Sequence, residues 1–191
     1  MNKRQFLGTA ALAGALPASA LAAPAATGPA LLTVTGDNKR ANRGALDPVR
    51  DQMMYKQKLS FDKAFTFDFA ALLALPAVQI KPTLEYDARV HVLRGPRLVD
   101  VLRSAGVAAN DKLKVALRAV DGYAATLPLG EARALGMIVA THLDGQPMAL
   151  GGLGPLWAVY DADRVPQAAA RPLGERFASC PWALYHIDVS A

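Results

Sequence analysis

The sequence predicts an α+β domain in which strands dominate. Three observations predict it: many short alternating or apolar runs bounded by Gly, Pro and Asp-Gly turns, helical spacing only in brief stretches, and no internal repeat. Few short helices among many short strands argue for a strand-rich mixed sheet rather than a doubly wound one. With 52% hydrophobic residues among 191, the chain can bury one sizeable core.

The first element is a removable export signal over residues 1–22. Lys3 and Arg4 supply a positive start, residues 6–21 are apolar and small, and Ala20-Leu21-Ala22 offers an Ala-x-Ala cleavage site, placing the cut after Ala22. That run is too short and too rich in Ala and Gly to anchor in a bilayer, and no later segment is long and apolar enough to span one. The mature protein is therefore expected in the periplasm, without a membrane span. Asn2-Lys3-Arg4-Gln5-Phe6-Leu7 resembles a twin-arginine signal with Lys3 in place of the first arginine, and an ordinary Sec signal is the other route.

Residues 23–30 read as a flexible Ala/Pro/Gly leader, and the domain occupies 31–191. Leu32-Thr33-Val34-Thr35 alternates at period two and predicts the first strand. The polar stretch 36–63 carries Arg40, Asn42, Arg43, Arg50 and Tyr55, and a connection of that length is expected to serve as a flap over a groove. Asp68 predicts an N-cap for a helix closed by Pro76, with Phe69, Leu72 and Leu73 facing inward. Strands are expected over 78–84 and 88–93. Gly95-Pro96 then breaks the chain before a helix with Leu98, Val101 and Leu102 on one face, ended by Gly106.

Asp121-Gly122 between two alternating runs predicts a tight hairpin, because both residues tolerate positive φ. Pro128 stops its second strand, a helical turn follows at 131–135, and 137–143 forms a strand leading to a second turn at Asp144-Gly145. The glycine-rich 151–155 is a loop, 156–160 is a buried strand, and 182–189 closes the sheet.

Charge narrows the function classes. Loss of the two cations Lys3 and Arg4 with the signal lowers the formal charge from +5 to +3, and the remaining lysines and arginines are scattered. No basic stripe is offered to nucleic acid. Cys180 is the one cysteine, so no intrachain disulfide forms, and its default role is a small buried hydrophobe. His91, His142 and His186 fall on separate predicted strands without metal-ligand spacing. No Gly-x-Ser-x-Gly elbow is present, and Gly151-Gly152-Leu153-Gly154 leads into a strand rather than a phosphate-binding helix. Catalytic residues are therefore not identifiable from motifs, and no metal ligands are assigned.

Several runs together resemble the molybdopterin-binding domain of the sulfite oxidase family of oxidoreductases. They are Asp121-Gly122-Tyr123 with Leu127-Pro128-Leu129 and Glu131, then Asp144-Gly145-Gln146-Pro147-Met148, then Gly154-Pro155-Leu156-Trp157-Ala158-Val159-Tyr160, preceded by Gly95-Pro96 and the 98–102 helix. The similarity runs from about Leu32 to Val189 and is that of a short, stand-alone exported member. It implies a strand-rich, barrel-like mixed fold whose loops hold a pterin and its molybdenum. The family's molybdenum-binding cysteine belongs just after the strand ending near Ile80, where this chain has Lys81-Pro82-Thr83-Leu84-Glu85 and no thiol.

Two functions stay open on that resemblance. In the first, the chain is an exported oxidoreductase-type domain that holds molybdopterin, with Asn42, Arg43, Arg89, Asp121 and Tyr123 lining the groove. In the second, the fold is kept, the metal is lost and no cofactor is bound. The same groove then serves a small-molecule ligand or a redox or sensor protein partner. A Cys180 sulfur at the mouth of the groove would favour the first.

Overall fold

The computed structural model describes residues 28–191. The expected signal peptide and the first part of the leader lie outside the described residues. Among those described, three sheets and five short α-helices form the α+β, strand-rich class expected, and the sheets do not close into a barrel.

The largest sheet is built from β1 (Leu32–Gly36), β2 (Phe65–Phe67), β5 (Lys114–Ala119), β6 (Ala124–Pro128) and β11 (Leu184–Ser190), in the order β2-β1-β11-β5-β6. The last strand was expected to close the sheet, with no position assigned to it. In the structure β11 fills the centre, parallel to β1 and antiparallel to β5, because its alternating side chains can be buried on both faces. Val34, Leu117, Ile187 and Val189 point into the core, while Thr35, Arg118, His186 and Asp188 occupy the opposite face.

A second sheet is β3 (Ala77–Ile80), β4 (Leu93–Pro96), β8 (His142–Leu143) and β9 (Gln146–Pro147), and a third pairs β7 (Ile138–Ala140) with β10 (Trp157–Val159). Here the strand expected over 88–93 is displaced, and Gly95-Pro96 lies inside β4 rather than breaking it. Gly95 is required by crowding: a Cβ there would sit 2.0 Å from the Val139 carbonyl oxygen of β7. The single strand expected at 137–143 divides into β7 and β8, which belong to different sheets.

The helices are α1 (Gln52–Lys56), α2 (Phe69–Leu73), α3 (Leu98–Ser104), α4 (Leu129–Ala134) and α5 (Pro166–Ala169). Asp68 caps α2 by accepting from the Ala71 N–H at 2.7 Å, as its position predicts. Leu72 is fully buried, but Leu73 is exposed, since so short a helix presents only one turn to the core. Helix α3 buries Leu98, Val101 and Leu102 and ends before Gly106 at φ +83°.

The two Asp-Gly turns differ. Asp144 and Gly145 both take positive φ, 50° and 81°, as a two-residue hairpin between β8 and β9 requires. At the β5–β6 turn only Gly122 does, at 94°, and the Asp121 carboxylate instead accepts from the Tyr123 N–H at 2.8 Å. The longer turn leaves the Asp121 and Tyr123 side chains at the end of the large sheet, where the candidate site forms.

Candidate functional site

Two clefts flank the end of the β5–β6 hairpin. The smaller, about 240 Å³, is lined by Glu85, Tyr86, Ala119, Asp121, Tyr123, Phe177, Ala178, Cys180, Pro181 and Trp182. Asp121 and Tyr123 of the expected groove thus meet the segment after β3, where the resemblance located a metal ligand.

Each wall is held by the core beneath it. Trp157 of β10 is fully buried and donates its indole N–H to the Cys180 carbonyl at 2.8 Å. Phe177 packs on Trp157 and Tyr160, with ring centroids 5.9 and 6.4 Å apart, and the Tyr160 hydroxyl donates to the Arg176 carbonyl at 2.7 Å. These contacts fix the 176–182 wall. The Tyr123 hydroxyl donates to the Ala178 carbonyl and so ties the hairpin to that wall.

The opposite wall, Glu85 and Tyr86, sits on the turn between β3 and β4. Leu84 is buried in the core, its N–H donates to the Arg89 carbonyl at 2.9 Å, and Thr83 and Val90 are bridged. Two aspartates beyond β10 hold the base of this turn: Asp161 accepts from the Lys81 N–H at 3.2 Å and Asp163 from the Thr83 N–H at 2.6 Å. His91 was expected on a strand but lies outside one, bracketed by Asp144 at 2.7 Å and Asp87 at 2.9 Å. Hydrogen bonds from Asp144 and then Asp87 raise its pKa above the ordinary 6.5.

The second cleft, about 390 Å³, lies on the other side of the hairpin and is lined in part by Thr33, Arg43, Asp51, Met53, Val120 and Tyr185. Two of its charged residues, Arg43 and Asp51, are matched to each other. Arg43 donates to both Asp51 oxygens, at 3.1 and 2.5 Å, and its guanidinium lies 5.1 Å from the Phe61 ring centre. The Arg43 hydrogen bonds hold the Asp51 carboxyl below the usual range.

The five residues expected to share one groove are therefore distributed. Asp121 and Tyr123 line the smaller cleft, and Arg43 lines the larger. Asn42 turns its side chain onto β2, donating to the Thr66 carbonyl at 2.8 Å and accepting from the Thr66 N–H at 2.7 Å. Arg89 is exposed and lines neither cleft. The 37–63 segment, expected as a flap, is pinned by Asn42 and Arg43 backbone bonds to Ala64 and carries α1 against the larger cleft. Sequence reasoning missed Glu85, Tyr86 and Trp182. The only signal available was an acid and an aromatic beside the position where the resemblance expects a cysteine.

Cys180 belongs to the wall of the smaller cleft yet is 4% exposed. Burial, with a smaller push from the Glu85 carboxylate, drives its thiol up to about 12, so it stays protonated at neutral pH. A soft metal needs thiolate, and among the described residues no three His, Cys, Asp or Glu side chains converge as a metal site. The lining carries two carboxylates and no lysine, arginine or histidine, which suits neither a cofactor phosphate nor a pterin dithiolene. The donor set of this cleft does not fit a molybdenum–pterin group.

No protein-family model matches the chain, and no curated protein matches it. Among solved structures it is similar to the sulfane dehydrogenase SoxCD from Paracoccus pantotrophus, with a TM-score of 0.52 and 13% identity over 83% of this chain. The match spans 37% of the chain compared, so this chain corresponds to little more than a third of that chain's length. The likeness is one of fold, and it is the strand-rich α+β fold anticipated from the sequence.

Proposed function

We propose that the mature chain is an exported, non-catalytic domain that binds a small molecule, keeping the fold of a molybdopterin-dependent oxidoreductase without its metal chemistry. One observation carries this reading: the cleft bringing Asp121 and Tyr123 to the segment after β3 offers carboxylates, aromatic rings and a buried, protonated thiol. Function follows from the site rather than from the fold, and this site is chemically a binding cleft. Its walls are fixed by buried side chains such as Trp157, which preorganises it.

The test is metal and pterin analysis of protein produced from the full-length sequence and recovered from the periplasm. The expected result is neither molybdenum nor pterin at stoichiometric level, with thermal stabilisation by one or more small molecules. Bound molybdenum with turnover of a sulfoxide or oxyanion would overturn the proposal.

A second reading keeps a redox role with molybdopterin, held by Asn42, Arg43, Arg89, Asp121 and Tyr123 and served by a redox partner protein. It is favoured by the presence of Cys180 in the cleft wall and by the likeness to a dehydrogenase. It requires the 180 loop to open and the thiol to ionise. Cys180→Ser would then abolish metal content, whereas the binding reading expects no change.

A further inference from the structure

The smaller cleft has a sign and a shape that specify its ligand more closely than the fold does. The chain as a whole is basic, with a formal charge of +5, yet no cationic side chain lines this cleft. Glu85 and Asp121 both line it, and neither is in an ion pair among the described residues. A narrow concave site between low-dielectric walls focuses the field of such charges.

Three large aromatic side chains stand at the same place while remaining open to solvent: Tyr86 at 56%, Tyr123 at 49% and Trp182 at 39% exposure. Among the described residues none of these rings packs against another ring or an arginine, so no ring or guanidinium occupies their π faces. Partial burial, the adjacent Glu85 charge and a side-chain hydrogen bond with Glu85 push the Tyr86 hydroxyl up to about 12, so it stays neutral and adds no further negative charge to the rim. Tyr123 is held at the mouth by its bond to Ala178. Aromatic faces without a cation of their own, in one cleft with two carboxylates, attract a cation with an apolar coat, which a hydrated metal ion lacks.

We propose that this cleft recognises a small organic cation, a quaternary or alkylated ammonium group, seated among Tyr86, Tyr123 and Trp182 and neutralised by Glu85 and Asp121. The proposal rests on the binding-domain reading and names the ligand class for it. A volume of about 240 Å³ accommodates a head group of choline size and excludes a drug-sized ligand.

Titration calorimetry of the full mature chain with choline, and with its uncharged isostere 3,3-dimethyl-1-butanol, tests it. Choline is expected to bind at least roughly tenfold more tightly than the isostere, with quenching of Trp182 fluorescence. Glu85→Gln and Tyr86→Leu should each weaken choline severalfold, with circular dichroism melting confirming that both variants fold. Equal binding of the two compounds at the cleft would overturn the cation assignment while leaving the binding-domain reading standing. Binding of neither, with molybdenum and pterin present in the purified protein, would overturn both. Binding of neither without cofactor would overturn the cation assignment alone.

Discussion

The clefts on either side of the β5–β6 turn handle charge in opposite ways. In the larger, Arg43 and Asp51 face one another with two hydrogen bonds, and the same carboxylate also accepts the Asp47 N–H at 2.8 Å. In the smaller, Glu85 and Asp121 meet no cation, and the Tyr86, Tyr123 and Trp182 rings meet no other ring or guanidinium, among the described residues. Matched ions of the first kind hold a segment in place. Unmatched ones in a concave aromatic setting are left for something outside the chain. Arg43, which the sequence reading placed in a cofactor groove, is held by Asp51, and the acid at a turn becomes a candidate ligand contact.

This division can be broken most sharply through Cys180. If its sulfur is part of a buried wall, iodoacetamide should modify it at least about a hundredfold more slowly in the native protein than in denaturant at pH 8. Rapid native modification, measured by mass spectrometry, would turn the small cleft into a reactive site. Next in size is Asp51→Ala, which strands the Arg43 guanidinium and the Asp47 N–H. A loss of about 2 to 3 kcal/mol in urea denaturation is expected, with choline binding unchanged.

The converse substitutions sharpen the same contrast. Glu85→Gln and Asp121→Asn should leave stability within about 0.5 kcal/mol, because neither carboxylate has an ionic partner among the described residues and an amide oxygen can still accept from the Tyr86 hydroxyl or the Tyr123 N–H. Their effect should appear in ligand binding and its salt dependence. A loss of stability comparable with Asp51→Ala would make the smaller cleft as structural as the larger.

The smallest effect concerns pH. The His91 pKa is raised by Asp144 and Asp87, so the stability it contributes is complete below the ordinary value of 6.5 and is lost as pH rises through the higher folded value. Asp87 and Asp144 are lowered from 3.8, and their contribution disappears as pH falls through their depressed values. The turn bearing Glu85 and Tyr86 should thus be tightest in mildly acidic solution. Intrinsic-rate-corrected amide exchange at Ala88 and Val92 should accelerate above neutrality in the parent and show no such step in His91→Gln.

Much of the fold was legible because it depends on local chemistry. Period-two runs marked β1 and the β5–β6 hairpin, Asp68 marked the start of α2, and Gly106 marked the end of α3. Displacement of β4 was not legible, since Gly95 joins the strand by pairing with Val78 of β3 and fits there only because it lacks a Cβ against the Val139 backbone, which is distant in sequence and in another sheet. The site was half legible. Asp121 and Tyr123 were singled out at a recognisable turn, whereas Glu85, Tyr86 and Trp182 occur in segments without a motif.

The order of turns, caps and alternating runs therefore determined by itself that this chain forms a strand-rich α+β domain, because each rests on backbone preferences of a few adjacent residues. Only the tertiary structure decided which charges are matched and which are open. Arg43 meets Asp51 within one folded connection, whereas Glu85 and Asp121, from separate loops, line one cleft without a cation among the described residues, and both outcomes depend on distances of a few ångströms.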